Sequence, residues 1–296
     1  MNPYVFMTDS DSDLPYTYVD STDIHMVYMP YMLEGKEYPD DLGRNGRQKE
    51  YFDRMRAGAV PSTSLLPMGA YLEYFEPVLA GGQDILFLAF SSKLSGTIQN
   101  IYAAREELLE KYPGRKITVV DTLSISAPQS ILILKAYELY REGRPMEDVA
   151  AWVEANRLRA RAFFTVDDLV YLKRGGRVSA AAAAIGTVLD LKPILVESRD
   201  GYLISPEKVQ GRKKALRTLA DRAAAAIEDP AQAMPVIMHA DAPADAERLE
   251  KLLRERVPGL GEIQTWFVGP VIGAHCGPGT VAICCFGRER VLSKEN

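Results

Sequence analysis

The sequence predicts an α/β protein with two domains, and three observations lead to that expectation. The chain has 296 residues, 47% of them hydrophobic, which is enough for about two cores. Short apolar runs alternate with amphipathic segments through the first half, a pattern typical of a parallel sheet covered by helices on both faces. The pair Asp200-Gly201 then indicates a hairpin, and hence antiparallel pairing, in the second half.

Residues 1–160 are predicted to form a three-layer domain with a parallel sheet. Its strands are short apolar runs, and its helices have apolar residues at helical spacing. The expected strands are Tyr4–Thr8, an extended stretch from Ile24 to Leu33, Asp84–Phe90 and Lys116–Asp121. The expected helices are Gln48–Ala57, Met68–Ala80, one that Ser95 opens, Gln129–Arg141 and Met146–Asn156.

Residues 161–290 are predicted to form a second, mixed-sheet domain, with the boundary near Arg161. The expected strands are Phe163–Val166, Lys192–Val196, Tyr202–Ile204, Pro235–His239, Glu262–Phe267 and Thr280–Phe286. The expected helices are Asp167–Lys173, Ala180–Leu189, Gly211–Ile227 and Pro243–Arg256. Gly175-Gly176 ends the first of these helices, because glycine adopts the left-handed conformation that closes a helix.

Composition excludes several classes of protein. A net charge of −5 and a pI of about 5.4 argue against a nucleic-acid partner, which favours basic proteins. No run of 18 apolar residues and no signal peptide is present, so neither membrane insertion nor secretion is expected. Cys276, Cys284 and Cys285 are an odd set with two adjacent members, which is typical of buried thiols in a cytoplasmic protein.

The segment Ser91–Thr97 follows the apolar run 84–90 and leads into a helical pattern. Ser95 is a natural N-cap residue, since its hydroxyl can accept a hydrogen bond from a first-turn amide. Gly96 lets a ligand approach the backbone, and the helix dipole favours a negative group there. The sequence therefore predicts a carboxylate or phosphate site here, and a capped helix without a ligand remains equally open.

Two further segments could contribute to the same site. Ser62 and Thr63 belong to a hydroxyl cluster before a helix, which by itself indicates only a capping segment. His275 lies among four glycines and two prolines between residues 269 and 279, a pattern that predicts a shaped loop presenting the ring. The imidazole could donate to an anionic ligand, or it could have a purely structural role. Ligands of open α/β sheets bind where such loops meet at the strand ends.

Asp9, Asp11 and Asp13 follow the first strand at alternate positions. A phosphatase with a nucleophilic Asp9 and Mg²⁺ is one interpretation, but the chain lacks a matching late acidic motif. A calcium loop fails because Leu14 stands where the required glycine belongs. A turn with capping carboxylates is the favoured interpretation, and no zinc-type spacing of ligands exists, so no metal is expected.

A basic run interrupts this acidic chain between residues 208 and 217. Lys208, Arg212, Lys213 and Lys214 concentrate positive charge there. Such a run is usually a solvated helix face. It could also dock an acidic partner or a phosphate-bearing substrate.

These motifs together resemble the DegV family, a bacterial group of fatty-acid-binding proteins that includes the acyl-carrying subunit of fatty acid kinase. The matching segments, in order along nearly the whole chain, are Thr8–Ser10 with Asp13–Pro15, Pro61–Ser64, Ser91–Thr97, Asp167–Arg177 and Lys208–Leu216. The resemblance implies a fold of two α/β domains with a lipid tunnel between them.

The resemblance also implies how the chain acts. A long-chain fatty acid would bind with its carboxylate on Thr63, Ser95 and the Gly96 amide, with Ser62 and His275 nearby. A separate ATP-dependent kinase would phosphorylate the acyl group for phospholipid synthesis, docking on the basic run. The chain would carry substrate, perform no chemistry alone and need no cofactor. The alternative from another class is an acyl hydrolase that uses Ser95 as nucleophile and His275 as base.

Overall fold

Short strands and longer helices alternate through the first half. In the computed structural model, which describes residues 3–177 and 190–293, the strands are β1 (Tyr4–Asp9), β2 (His25–Val27), β3 (Pro30–Leu33), β4 (Lys36–Pro39), β5 (Ser62–Thr63), β6 (Asp84–Ala89) and β7 (Ile117–Asp121). The helices are α1 (Tyr16–Ser21), α2 (Gln48–Arg56), α3 (Met68–Ala80), α4 (Thr97–Lys111), α5 (Ser126–Arg141) and α6 (Met146–Asn156).

Four of these strands form a parallel sheet in the order β2-β1-β6-β7. Alternate side chains point to opposite faces, as strand geometry requires. Met7 and Phe87 pack in one apolar cluster with residues of α3 and α4, whereas Phe6 and Leu88 join another with residues of α5 and α6. The sheet is therefore covered on both faces, which confirms the predicted three-layer arrangement.

The second half begins with β8 (Ala160–Thr165), one residue before the predicted boundary at Arg161. The other strands are β9 (Leu191–Glu197), β10 (Leu203–Gln210), β11 (Val236–His239), β12 (Gln264–Phe267) and β13 (Val281–Phe286). The helices are α7 (Val170–Gly175), α8 (Arg212–Ala226), α9 (Pro243–Arg256) and α10 (Pro270–Cys276). The predicted helix Ala180–Leu189 lies outside the described residues. The domain limits 1–160 and 161–290 stay a prediction.

The second sheet has six strands in the order β10-β9-β8-β13-β11-β12. Every neighbouring pair is antiparallel except β11 with β12, which is parallel. This mixed sheet confirms the prediction. Its last strand in sequence, β13, lies inside the sheet between β8 and β11. One face, with Ile283, packs in a cluster with residues of α8 and α9. The other face, with Ala282 and Cys284, joins the cluster that extends to α5 of the first half.

A small third sheet was not predicted. The strands β3, β4 and β5 pair antiparallel in the order β4-β3-β5. The stretch Ile24–Leu33, predicted as one extended segment, is divided between β2 of the parallel sheet and β3 of this one. The capping segment predicted at Ser62-Thr63 is instead β5, because these two residues pair with Met32 and Tyr31.

Arg290 connects the two halves. Its guanidinium donates to the carbonyl of Leu123 at 2.6 Å in the first half and to the carbonyl of Ala160 at 2.9 Å in the second. It also lies 3.4 Å from the carboxylate of Glu197, and both side chains are 1% exposed. A buried charge is tolerated only when it is paired and hydrogen-bonded, as this one is.

Candidate functional site

A cavity of about 180 Å³ lies between the two halves. A single buried water needs roughly 10–15 Å³ of such space, so the cavity could hold a much larger guest. We call it the apolar cavity. Its apolar lining comprises Met29, Leu65, Phe90, Leu94, Ile125, Pro128, Ala162, Phe164, Leu172, Leu203, Met238, Val268, Val271, Ile272, Cys276, Ala282 and Cys284. Its polar lining comprises Asp11, Thr63, Ser64, Ser95, Thr97, Ser126, Arg177, His275 and Thr280.

The depth of the apolar cavity is set by the alternation of residues along the six-stranded sheet. Ala162 pairs with Cys284 and Phe164 pairs with Ala282, so all four side chains share the face that lines the cavity. Cys284 is only 1% exposed, whereas Leu65, beside the predicted hydroxyl cluster, is 48% exposed. The cavity therefore reaches from a solvent-accessible, hydroxyl-rich mouth into a buried apolar interior.

Thr63 and His275 meet at this mouth although 212 residues separate them in the chain. The Thr63 hydroxyl lies 2.8 Å from Nε2 of His275. When Nε2 holds the ring proton, His275 donates to Thr63, and the Thr63 hydroxyl is then free to donate to a carboxylate. Ser62 precedes Thr63 on β5, and its side chain is exposed outside the cavity lining.

The loop predicted around His275 is wrong. Residues Pro270–Cys276 form the helix α10, because proline is favoured in the first helical turn and Gly277, at φ +78°, ends the helix. A Cβ atom on Gly175 would lie 2.3 Å from Nδ1 of His275, so only glycine leaves room for the ring. Burial lowers the pKa of His275 to about 4, with a further contribution from Arg177. His275 is therefore neutral at pH 7.

Ser95 and Gly96 lie at the start of α4, as predicted, but the helix begins one position later than expected. Gly96 is the N-cap residue, and Thr97 is the first residue of α4. The Ser95 hydroxyl still accepts from the Thr97 amide at 3.2 Å and lies 2.8 Å from the Thr97 hydroxyl. Gly96 approaches Leu65 of the lining, since a Cβ on Gly96 would lie 3.6 Å from it.

The Ser95–His275 pair that an acyl hydrolase needs is not assembled. Ser95 is engaged with Thr97, and Nε2 of His275 with Thr63. Among the described residues Nδ1 of His275 has no hydrogen-bond partner, so no acidic side chain orients the ring. A base with a pKa near 4 is also a weak one at pH 7.

Arg177 is a lining residue that the sequence analysis placed in a motif but did not assign to the site. Its Nε donates to the carbonyl of Leu94 at 3.1 Å, which holds the guanidinium beside the Ser91–Thr97 segment. It lies close enough to Asp11 to lower the pKa of that buried carboxyl, although burial and Asp9 together raise it well above the usual range. The sequence feature that could have pointed to Arg177 as a site residue is its position directly after Gly175-Gly176.

The chain resembles known proteins along nearly its whole length. A model of the DegV family, described as a family of uncharacterised proteins, matches residues 5–288. The chain belongs to the DegV family. A DegV domain-containing protein of Clostridium perfringens is 39% identical over 287 residues, which cover 97% of this chain and 98% of the relative.

Solved DegV structures have the same fold. A DegV protein of Thermus thermophilus, described by its fatty acid binding, is 32% identical with a TM-score of 0.83 and covers 97% of this chain and 100% of its own. A fatty-acid-binding DegV protein of Streptococcus agalactiae is 29% identical with a TM-score of 0.83, and the match covers 98% of this chain and 100% of that protein. These likenesses confirm the predicted DegV membership and two-sheet α/β fold.

Asp9, the last residue of β1, and Asp11 and Asp13, which follow this strand, are buried in this DegV chain. Asp9 accepts from the Phe90 amide at 3.0 Å and from the Gln129 side chain at 2.9 Å, and burial raises its pKa to about 6. Among the described residues, no group of three or more His, Cys, Asp or Glu side chains could hold a metal ion. The Asp9 carboxylate thus accepts hydrogen bonds from the residue that follows β6 and from α5, and it joins these two segments to β1.

The basic run divides into two kinds of residue. Lys208, Lys213 and Lys214 are exposed on β10 and at the start of α8. Arg212 is turned inward, where it pairs with Asp245 at 2.8 Å and with Asp167 at 3.4 Å. The guanidinium of Arg212 is therefore used within the fold, and the three lysines remain as the predicted docking charges.

No helix in the described part of the chain is both long and apolar enough to cross a membrane.

Proposed function

We propose that this DegV chain binds one long-chain fatty acid in the apolar cavity. The observation that supports this most strongly is the form of the cavity, which has a buried apolar interior and hydroxyl groups at an exposed mouth. An acyl chain has the same two parts. The fatty acid binding of the Thermus and Streptococcus relatives adds support, since those chains share the fold over almost their whole length.

The carboxylate would lie at the mouth, held by the hydroxyls of Thr63 and Ser95 and by the Gly96 amide. Ser95 and Gly96 directly precede α4, and the N-terminus of this helix favours a negative group. Arg177 lines the same region and would supply the positive charge, because the neutral His275 cannot. His275 would instead orient the Thr63 hydroxyl through their 2.8 Å contact.

The acyl tail would set the affinity and the polar groups the orientation. Burial of each methylene contributes up to about 0.8 kcal/mol, so some fifteen of them supply on the order of 12 kcal/mol before entropic and other costs. A hydrogen bond to a charged group contributes only about 1.5–3 kcal/mol. Removing one hydroxyl should therefore weaken retention without abolishing it.

The test is native mass spectrometry of the purified chain followed by lipid extraction. We expect a stoichiometric fatty acid in the wild type and a lower occupancy in Ser95→Ala, with added oleate binding roughly tenfold more weakly. Ser92→Ala is the matched control, since Ser92 lies in the same loop outside the cavity lining. The proposal would be contradicted if the chain is isolated without lipid and also does not bind added oleate or palmitate.

The same preparation distinguishes a carrier from an enzyme. We propose that the chain performs no chemistry alone, so p-nitrophenyl palmitate should not be hydrolysed above the rate in buffer. Hydrolysis that disappears in Ser95→Ala would instead support the acyl hydrolase.

We further propose that this chain is cytoplasmic and presents the bound carboxylate to a separate ATP-dependent fatty acid kinase, with no other cofactor. The exposed position of Leu65 at the mouth supports presentation, and Lys208, Lys213 and Lys214 supply an exposed positive surface. Acyl-phosphate should form only when a purified fatty acid kinase and ATP are both added. Lys213→Glu should lower that rate, whereas Lys251→Glu, an exposed reversal on α9, should not.

A further inference from the structure

A second cavity, of about 310 Å³, lies where the segment after β1 meets β12. None of its lining residues also lines the apolar cavity. Asp13 and Asp40 lie on its inner side, and Tyr16, Tyr18, Trp266 and Phe267 contribute aromatic walls. We call it the acidic cavity. The proposed fatty acid binding makes no use of it.

The two carboxylates of the acidic cavity face one another across Gly269. A Cβ atom on Gly269 would lie 2.5 Å from Oδ1 of Asp13 and 3.1 Å from Oδ2 of Asp40, so both oxygens flank the same point. Asp13 is satisfied by the Gly269 amide at 2.9 Å and by the Ser126 hydroxyl. Asp40 is fully buried, and its Oδ2 has no hydrogen-bond partner among the described residues.

Two neighbouring buried carboxyls without a cation are electrostatically unfavourable when both are ionised. Burial raises the pKa of Asp13 to about 7, and burial together with Asp13 raises the pKa of Asp40 well above its usual range. Neither carboxylate forms an ion pair with a basic side chain that the structure describes. A positive charge placed between them would remove this repulsion.

The aromatic walls are suited to the substituents of an organic cation. Trp266 packs edge-on against Tyr18, with ring centroids 5.6 Å apart. Phe267 is 36% exposed and lies at the mouth. The Arg44 guanidinium already lies over the Tyr16 ring, 5.1 Å from its centroid, so this wall accommodates a cation within the fold itself. Aromatic faces attract such cations through their negative quadrupole.

We propose that the acidic cavity binds a small organic ammonium ion. The positive nitrogen lies against Asp13 and Asp40, and its substituents pack on Tyr18, Trp266 and Phe267. A hard metal ion fits less well, because calcium and magnesium need several free oxygen ligands and gain nothing from aromatic walls. The described residues also contain no cluster of three metal-ligating side chains.

The test is calorimetric titration of the full-length chain, with and without bound lipid, at a pH of about 8, above the pKa of Asp13. The probes are choline, ethanolamine and 3,3-dimethylbutan-1-ol, the uncharged isostere of choline. We expect choline or ethanolamine to bind, and the uncharged isostere to bind roughly tenfold more weakly or worse.

Variants assign the binding to this cavity. Asp40→Asn should weaken it roughly tenfold or more, while Asp148→Asn, an exposed aspartate on α6, should leave it unchanged. Tyr18→Leu should weaken choline binding while keeping both carboxylates, and it covers the case in which Asp40→Asn does not fold.

Three outcomes would overturn the proposal. They are no binding of either ammonium compound, equal binding of the uncharged isostere, and tighter binding of Mg²⁺ or Ca²⁺ at the same carboxylates. Because the titrations are repeated on lipid-free protein, failure of the fatty acid proposal does not affect this result.

Discussion

The two faces of the six-stranded sheet use the same strands for different purposes. On one face Ile283 and its neighbours pack in one apolar cluster with residues of α8 and α9. On the other face Ala282 and Cys284 line the apolar cavity. Consecutive residues of one buried strand therefore belong to a packed apolar cluster and to the lining of the apolar cavity, and Cys284 and Cys285 differ in this way although they are adjacent.

Burial alone does not identify a core position. Cys284 and Cys285 are 1% and 0% exposed, so their accessibility is the same. What differs is what each side chain faces. Cys285 packs in a cluster with residues of α8 and α9, whereas Cys284 borders the apolar cavity. Substitutions on the packed face should therefore change stability, and substitutions on the cavity face should change the ligand.

The largest effect is expected at Arg290, whose guanidinium links the two halves through the carbonyls of Leu123 and Ala160. Arg290→Met leaves Glu197 buried without its partner and should lower the free energy of unfolding by about 3–5 kcal/mol. Urea denaturation measures this loss. Adding Glu197→Gln should recover part of it, because no unpaired charge then remains. A loss below about 1 kcal/mol in Arg290→Met would contradict the role of this pair.

The next largest effect is a difference in stability between substitutions on the two faces of β13. Ile283→Ala should cost about 2–5 kcal/mol, because it creates a void in the layer packed on α8 and α9. Cys284→Ala, one residue on, should cost less than about 1 kcal/mol, since the sulfur borders a space that already exists. Equal losses in urea denaturation would mean that the faces are not different.

A change of ligand with little change in stability is expected at Ala282. Ala282→Leu extends into the apolar cavity and should shift the extracted fatty acids towards shorter chains. The free energy of unfolding should change by less than about 1 kcal/mol, since the added atoms occupy free space. Ile283→Val on the opposite face is the control. An unchanged lipid profile in Ala282→Leu would place the acyl tail elsewhere.

The smallest perturbation uses the cysteines themselves. Burial raises the pKa of Cys276 and Cys285 to about 12, and that of Cys284 well above its usual value, so all three should react slowly. In lipid-free protein, methyl methanethiosulfonate should modify Cys276 and Cys284 before Cys285, and oleate should slow the first two. Fragment-ion mass spectrometry resolves the adjacent pair. Modification of Cys285 at the same rate as Cys284 would contradict the difference between the two faces of β13.

Sequence patterns predicted the strands of the parallel and mixed sheets and the segments with Thr63, Ser95 and His275, but not the small sheet of β3, β4 and β5. They could not predict that Thr63 contacts His275, because that contact joins segments 212 residues apart and depends on how α10 packs on β5. They also missed the division of Ile24–Leu33 between two sheets, since an apolar run is equally compatible with either. Alternation assigns residues to a face and leaves open what covers that face.

The position of β13 has a consequence for the order in which the chain is made. β13 is the last of the six strands of this sheet in sequence and leaves the ribosome after the other five, yet it lies between β8 and β11. Until it emerges, β8–β10 and β11–β12 are separate pieces, each with an unpaired edge where another strand could attach. A chain that stops before residue 281 keeps both edges open, so synthesis has to pass Phe286 before this sheet can close.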